Sequence, residues 1–325
     1  MTPDFRILAD SADITAAIRA RLVSLSVTDE AGTDSDSAEI TLDDRDGVIA
    51  LPRTGAQLEI GMGYKESGVL TMGRYVVDEI SLSSNPQTLR IRSRAADLRQ
   101  GLKRPRTRPW EDVSVSDIVS TIAAEHGYEP KVAQALASEQ IKHLDQLDES
   151  DLHFLTRLAR ERGAIAKPAG GMLLFVPPGE AKSASGKNLP AITLDRNEFT
   201  RWSVTIAERG KYLSVIARWH DPDTATEHSV TVGEGDPTYT IRRLYPDEAT
   251  ATSAARAQLD AFTRGVATLR ATGPGNPTFV GESPLTISGV RSGVDGSWSV
   301  TRVTHRIDKG GYTCDIEAEI PKGGQ

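Results

Sequence analysis

The spacing of apolar residues changes twice along the chain, and that change limits the folds open to it. Residues 4–94 repeat with period two: Val23, Leu25 and Val27; Ala38, Ile40 and Leu42; Leu58, Ile60, Met62 and Tyr64. Turn-forming runs (DEAGTDSDS, DDRDG, PRTG, KESG, SSNPQ) separate these stretches. Many short strands at close intervals predict a barrel or a sandwich. The period then lengthens. Ser114 and Asp117 form a capping box ahead of Val115, Ile118, Val119, Ile122 and Ala123, which share one helical face that Gly127 ends. A second helix is expected from Asp148, with Asp148 and Asp151 complementing its N-terminus and Gly163 stopping it. Residues 172–176 (MLLFV) form a short strand that Pro177-Pro178 closes, and GEAKSASGKN forms a linker.

Period two returns near residue 190, in Trp202, Val204 and Ile206, then in Leu213, Val215, Ala217 and Trp219, with HDPDTATEH as a hairpin tip. One helix interrupts it at about 246–264, with Pro246 at its first position and Ala251, Ala254, Ala255, Leu259 and Phe262 along one stripe before Gly265. Strands resume over 285–290 and 297–320. Two of the β segments match without gaps. Gly73, Tyr75, Val77 and Ile80 correspond to Gly296, Trp298, Val300 and Val303, and after a turn Leu89 and Ile91 correspond to Tyr312 and Cys314. The expected fold is α+β and predominantly β. Two similar tube-like β-barrel domains, 1–102 and 181–325, flank a small α/β domain at 103–180, and the helix at 246–264 is inserted in the second barrel.

Composition narrows the function. A net charge of −7 and a pI near 5.5 argue against a protein that coats nucleic acid. Cys314 is the single cysteine, so no internal disulfide forms, and its alternation with Tyr312 and Ile316 reads as a buried strand residue. The N-terminus has neither the basic start nor the apolar run of a cleaved signal, and no apolar stretch reaches membrane-spanning length.

No catalytic, cofactor or metal site is expected. His220, Asp221, Asp223, Glu227 and His228 match no zinc spacing and lack the glycine of a calcium loop. His126, His143, His153 and His305 lie in separate elements. Ser183, Ser185 and Ser283 lack a nucleophile elbow, and the linker departs from a Walker A loop at Asn188. Asp145, Asp148, Glu149 and Asp151 form a carboxylate cluster that could serve glycan hydrolysis, but helix capping accounts for it. Arg90, Arg92 and Arg94 share a strand face within a basic stretch that continues through Arg99, Lys103, Arg104, Arg106 and Arg108. Asp29, Glu30, Asp34, Asp36, Glu39, Asp43, Asp44 and Asp46 form an acidic counterpart. The expectation is that the acidic patch of one subunit meets the basic patch of the next, through Arg90, Arg92, Arg94, Asp34, Asp36 and Glu39, and so sets register.

The segment LDESDLHFLTRLARERGA, 147–164, resembles the signature of the phage late control protein D family and of the hub part of the VgrG spike proteins of type VI secretion. Glu149, Ser150, Asp151, Leu152, Phe154, Leu155, Arg157, Leu158, Ala159 and Gly163 carry the match. Residues 94–127, 218–230 and 285–320 resemble further parts of the family in the same order, so the resemblance covers nearly the whole chain. It implies a non-enzymatic baseplate hub subunit of a contractile phage tail or tail-like injection particle. In the family, three chains donate two barrels each to a pseudo-sixfold ring between tail tube and spike. The implied partners are two further copies of the chain, a separate spike protein, the tail tube or its initiator, other baseplate proteins and the tape measure protein. No membrane is involved, and DNA passes only in transit through the bore. VgrG proteins continue into a needle, whereas this sequence stops at Gln325, so the spike is expected on another polypeptide. A cell-wall hydrolase and a receptor- or carbohydrate-binding β protein are the rival readings.

Overall fold

The computed structural model describes residues 1–32, 35–96, 100–169, 171–177, 189–207, 212–221, 224–264 and 266–321. The first unit holds β1 (Pro3–Ala9), β2 (Leu22–Glu30), β3 (Ser37–Asp43), β4 (Gln57–Tyr64), β5 (Gly68–Ser83) and β6 (Thr88–Ala95). A middle domain follows, with β7 (Pro105–Ser114), α1 (Val115–His126), β8 (Glu129–Val132), β9 (Gln140–Ser150), α2 (Asp151–Arg160), β10 (Ile165–Ala169) and β11 (Met172–Val176). The second unit opens with β12 (Ile192–Asp195) and β13 (Arg201–Ile206). An insertion then contributes β14 (Ser214–Asp221), β15 (Thr226–Gly233), β16 (Thr238–Tyr245) and α3 (Glu248–Arg264). The unit closes with β17 (Ala267–Pro274), β18 (Pro284–Ser288), β19 (Gly296–Asp308) and β20 (Gly311–Glu319).

Each unit has a set of six strands in one shared order, and a two-residue strand, Ala12–Asp13, is added beside β1 of the first. In the first, β2-β3-β6-β5-β4-β1 are neighbours; in the second, β13-β17-β20-β19-β18-β12. Numbered by chain order within the unit, both read second, third, sixth, fifth, fourth, first. They differ in the direction of the first strand, since β1 runs antiparallel to β4 whereas β12 runs parallel to β18.

The matched sequence segments are the hairpins β5–β6 and β19–β20. Their first strands agree in detail. A bulge falls between Val77 and Glu79 in one and between Val300 and Arg302 in the other. Both bulge valines exchange two backbone bonds with the loop ahead of the fourth strand: Val77 with Gly55 and Ala56, Val300 with Glu282 and Ser283. The second strands are displaced by two residues from the gapless match. Leu82 faces Leu89, whereas its counterpart His305 faces Cys314, so Leu89 corresponds to Cys314 rather than Tyr312. Beyond these pairs the second hairpin has two more residues than the first, 306–313 against 83–88, and a shift of two returns every side chain to the same face.

Two separate barrels were expected. The units instead join edge to edge, β2 against the end of β19, as one thirteen-stranded sheet, and none of the sheets formed by the described residues closes on itself. The physical reason is that β19 is too long for its neighbours. On one side β18 takes residues 296–299 and leaves 302–308 for β2. One core runs through both units, from Ile7, Leu25 and Ile60 to Trp298, Val303 and Ile316. Cys314 lies in it, buried as expected.

The middle domain has its own core, from Ile118, Val119 and Ile122 of α1 to Phe154, Leu155 and Leu158 of α2 and Leu173 and Phe175 of β11. The Ser114–Asp117 capping box forms, and Gly127 takes φ +69°. The sequence placed the second inserted element as a lone helix at 246–264. It packs with its own three-stranded sheet, β15-β14-β16, through Val215, Ala217, Ala251 and Ala255. Gly265, Pro178 and the 179–188 linker lie outside the described residues, as do Arg99, Asp223, Ser183 and Ser185. Among the described residues, no helix is long and apolar enough to cross a membrane.

Candidate assembly surfaces

The signature segment folds around a buried carboxylate. Helix α2 begins at Asp151, three residues later than the sequence indicated, and Ser150 caps it by accepting the His153 amide at 3.2 Å. Asp148 does not cap it. That residue sits at φ +46° in the β7–β9 ribbon, where its amide donates to Thr107 Oγ1. Asp151 instead turns its side chain inward, fully buried. Its Oδ1 accepts from Arg108 at 2.7 Å and from Gln146 at 2.8 Å, and its Oδ2 lies 2.8 Å from His126 Nε2 and 3.5 Å from Arg106. Burial alone would raise its pKa. The hydrogen bonds from His126 and Gln146 and the charges of Arg108 and Arg106 outweigh that and hold it below the usual carboxylate range.

The rest of the signature is structural too. Glu149 makes a two-pronged pair with Arg157, at 3.1 and 2.8 Å. Arg157 also lies over the Phe154 ring. Phe154, Leu155, Leu158 and Ala159 are wholly buried, while Leu152 is half-buried. Gly163 adopts φ +60°, as a helix stop requires. Glu125, His126 and Asp151 stand within 4.8 Å of one another, close enough to suggest a cation site. Arg106 and Arg108 already bond Glu125 at 2.6 and 2.8 Å, so positive charge is supplied from within. With Asp151 saturated and Glu149 paired, neither carboxylate is placed as an acid or base for glycan cleavage. The sequence singled out Asp151 but not its partners. Arg108 and Gln146, paired across the β7–β9 ribbon, and His126, at the end of α1, meet only in three dimensions.

The basic strip lies where expected, on one face of β6. Its charges are matched inside the chain. Glu39 pairs with Arg90 at 3.4 Å and with Arg92 at 3.1 Å, and Arg94 pairs with Asp78 at 2.7 Å. Asp36 takes Lys167 of β10 at 2.9 Å, tying the middle domain to the β2–β3 hairpin. Asp34 lies outside the described residues. At the hairpin whose spacing matched no metal site, Arg218 pairs with Glu227, and His228 stacks on Trp219.

Sequence reasoning missed two open edges of the large sheet. One is β13, which pairs with β17 on one side only; the other is residues 78–83 of β5, beyond the reach of β4. Each carries a large apolar residue in water: Ile206 is 65% exposed and Leu82 is 59% exposed. Alternation marked Ile206 for the core, and nothing in the pattern distinguishes a strand that ends a sheet from one inside it.

A duplicated β unit, fused edge to edge, and signature carboxylates held by partners within the chain are the features of a structural subunit. The sequence matches the model of the phage tail baseplate hub (GPD) over residues 39–311, and the chain belongs to that family. It is 33% identical to the probable baseplate hub protein of Escherichia phage P2, covering 98% of this chain and 94% of that one. The fold is similar to that of a tail protein from Neisseria meningitidis MC58, with a TM-score of 0.72 at 12% identity over 98% and 97% of the two chains. It is also similar to the E. coli c3393 protein, a component of the type VI secretion system, with a TM-score of 0.57 at 13% identity over 92% and 73%. Family membership places the chain at the baseplate of a phage-type tail.

Proposed function

We propose that three copies of the chain form a pseudo-sixfold ring that joins the tail tube to the central spike of a contractile tail or tail-like particle. One observation carries this reading: the two six-strand units share one strand order and are already joined edge to edge. A threefold object with two equivalent units per chain presents six near-equivalent faces to a sixfold tube. Residues 1–102 and 181–325 then act as the tube-like domains, with 103–180 and the insertion on the outside. The spike, the tube or its initiator, and other baseplate proteins are the partners, and the role is non-enzymatic. The saturated carboxylates of the signature helix support that last point. Native mass measurement, with electron microscopy of the same sample, tests the proposal. Rings of three chains with six lobes around a channel are expected, and a stable monomer or a closed dimer refutes it.

A further inference from the structure

The joint inside the chain is a template against which the open edges can be compared. A row of residues crosses each unit from the bulge valine: Val77, Ser93, Ala38 and Val27 in the first; Val300, Ala318, Leu269 and Val204 in the second. On this alignment Val204, Thr205 and Ile206 of β13 stand where Val27, Thr28 and Asp29 of β2 stand. Likewise Ile80, Ser81 and Leu82 of β5 stand where Val303, Thr304 and His305 of β19 stand. Within the chain those two sets are paired with each other: Val303 with Asp29, Thr304 with Thr28, and His305 with Val27.

We infer that β13 of one copy adds antiparallel to residues 78–83 of β5 in the next, with Ile206 opposite Ile80, Thr205 opposite Ser81 and Val204 opposite Leu82. This rests on the ring reading and specifies its seam.

Three observations support that register. Backbone direction is the first. Ala207 donates to the carbonyl of Val266, just ahead of β17, so by alternation Trp202, Val204 and Ile206 turn their backbone groups outward. In the internal joint Ala31 donates to Thr301, which by the same alternation turns Val27 and Asp29 toward β19. Those are the counterparts of Val204 and Ile206. Side chains are the second. The two most exposed aliphatic residues on these edges, Leu82 and Ile206, fall on one face of the seam, and their counterparts at the joint include wholly buried His305. The third is polar: Thr28 and Thr304 share a hydroxyl bond of 3.2 Å, and their counterparts Thr205 and Ser81 are again two hydroxyls. The occupant is a second copy because both halves of the joint recur on this chain, at different edges. Such a head-to-tail contact closes a ring when the rotation permits.

Paired cysteines test it. Ser81 and Thr205 occupy a non-hydrogen-bonded pair, where Cα atoms approach to about 4.5 Å and a disulfide fits. The full-length chain carrying Ser81→Cys and Thr205→Cys should give covalent species of two and three chains on oxidation. Neither single variant should, nor should Ser81→Cys with Ser203→Cys, which is out of register. Cys314 is buried and does not interfere. As a second readout, Ile206→Asp should leave melting unchanged and raise the concentration needed for self-association by roughly tenfold or more. A trimer by mass that the cysteine pair does not link overturns the seam but not the ring. A chain that stays monomeric at every concentration overturns both.

Discussion

Replacing Asp151 by asparagine isolates the charge at the centre of the signature helix. Asparagine has the same shape and keeps one acceptor for Arg108 and Gln146, but it turns an amide toward His126 and removes the negative charge that faces two arginines. Arg108 retains Glu125 at 2.8 Å and Gln146 at 3.0 Å, so it is not stranded. The full penalty for breaking a buried pair, about 3–5 kcal/mol, is therefore an upper bound. One lost charge-assisted hydrogen bond, together with weaker attraction to two arginines, gives about 2–3 kcal/mol. The sign with pH follows from the depressed pKa. A carboxyl held below its ordinary value of 3.8 stabilises the fold above that value, and the contribution is lost as pH falls through the folded value. Urea unfolding followed by hydrogen exchange in peptides from 105–160 should show the deficit at pH 7 and its shrinkage below about pH 4. A variant as stable as the parent at pH 7, or a deficit that persists unchanged into acid, refutes the account of this cluster.

Three further outcomes are expected. Leu155→Ala removes a wholly buried side chain and should cost about 2–5 kcal/mol by denaturant titration. Burial pushes His305 down to about 4, against a hydrogen bond to the Phe279 carbonyl, so the fold holds it neutral. Stability should fall as pH drops from 6.5 toward 4, by about 3 kcal/mol at most, and His305→Gln should flatten that part of the profile. Charge reversal at Arg92 and Arg94 should leave self-association unchanged by mass measurement, because both side chains are half-exposed and answered by Glu39, Glu79 and Asp78 of the same chain.

The period of the apolar residues was enough to place β, then α/β, then β, because burial of one strand face or one helix stripe is a local matter. The capping box at Ser114 and the stop at Gly163 were legible for the same reason: cap chemistry is settled within four residues. The start of α2 was misjudged because several acidic residues in a row can each cap, and only the β7–β9 ribbon decides that Asp148 bonds Thr107 while Asp151 turns inward. The matched hairpins were visible, but not the two-residue shift in their second strands, since a gapless comparison cannot see that the second hairpin extends two residues further. Separate barrels were expected because alternation says which face of a strand is buried and nothing about which edge is taken. The pairing of β2 with β19 spans more than 270 residues of sequence, as the Arg302–Glu30 pair at 2.7 Å illustrates.

The same pair bears on why the two units have diverged. A chain with two identical edge-to-edge joints could not tell its own second unit from that of another copy, and open filaments or exchanged units would compete with a closed ring. The internal joint carries features that its proposed counterpart lacks. Arg302 reaches Glu30 across it, and the corresponding positions are Glu79 and Ala207, which cannot pair. Lys167 of the middle domain donates to the Glu30 carbonyl at 2.7 Å and to Asp36, so the strand entering the joint is fastened from outside the sheet. The proposed seam between copies would instead set Ile80 and Leu82 against Ile206 and Val204. Apolar edges of that kind are tolerated in a monomer only until they find each other. On this proposal, polar fastening within the chain and apolar closure between chains would give the two joints different partners while preserving one backbone register, as a threefold ring with sixfold faces demands.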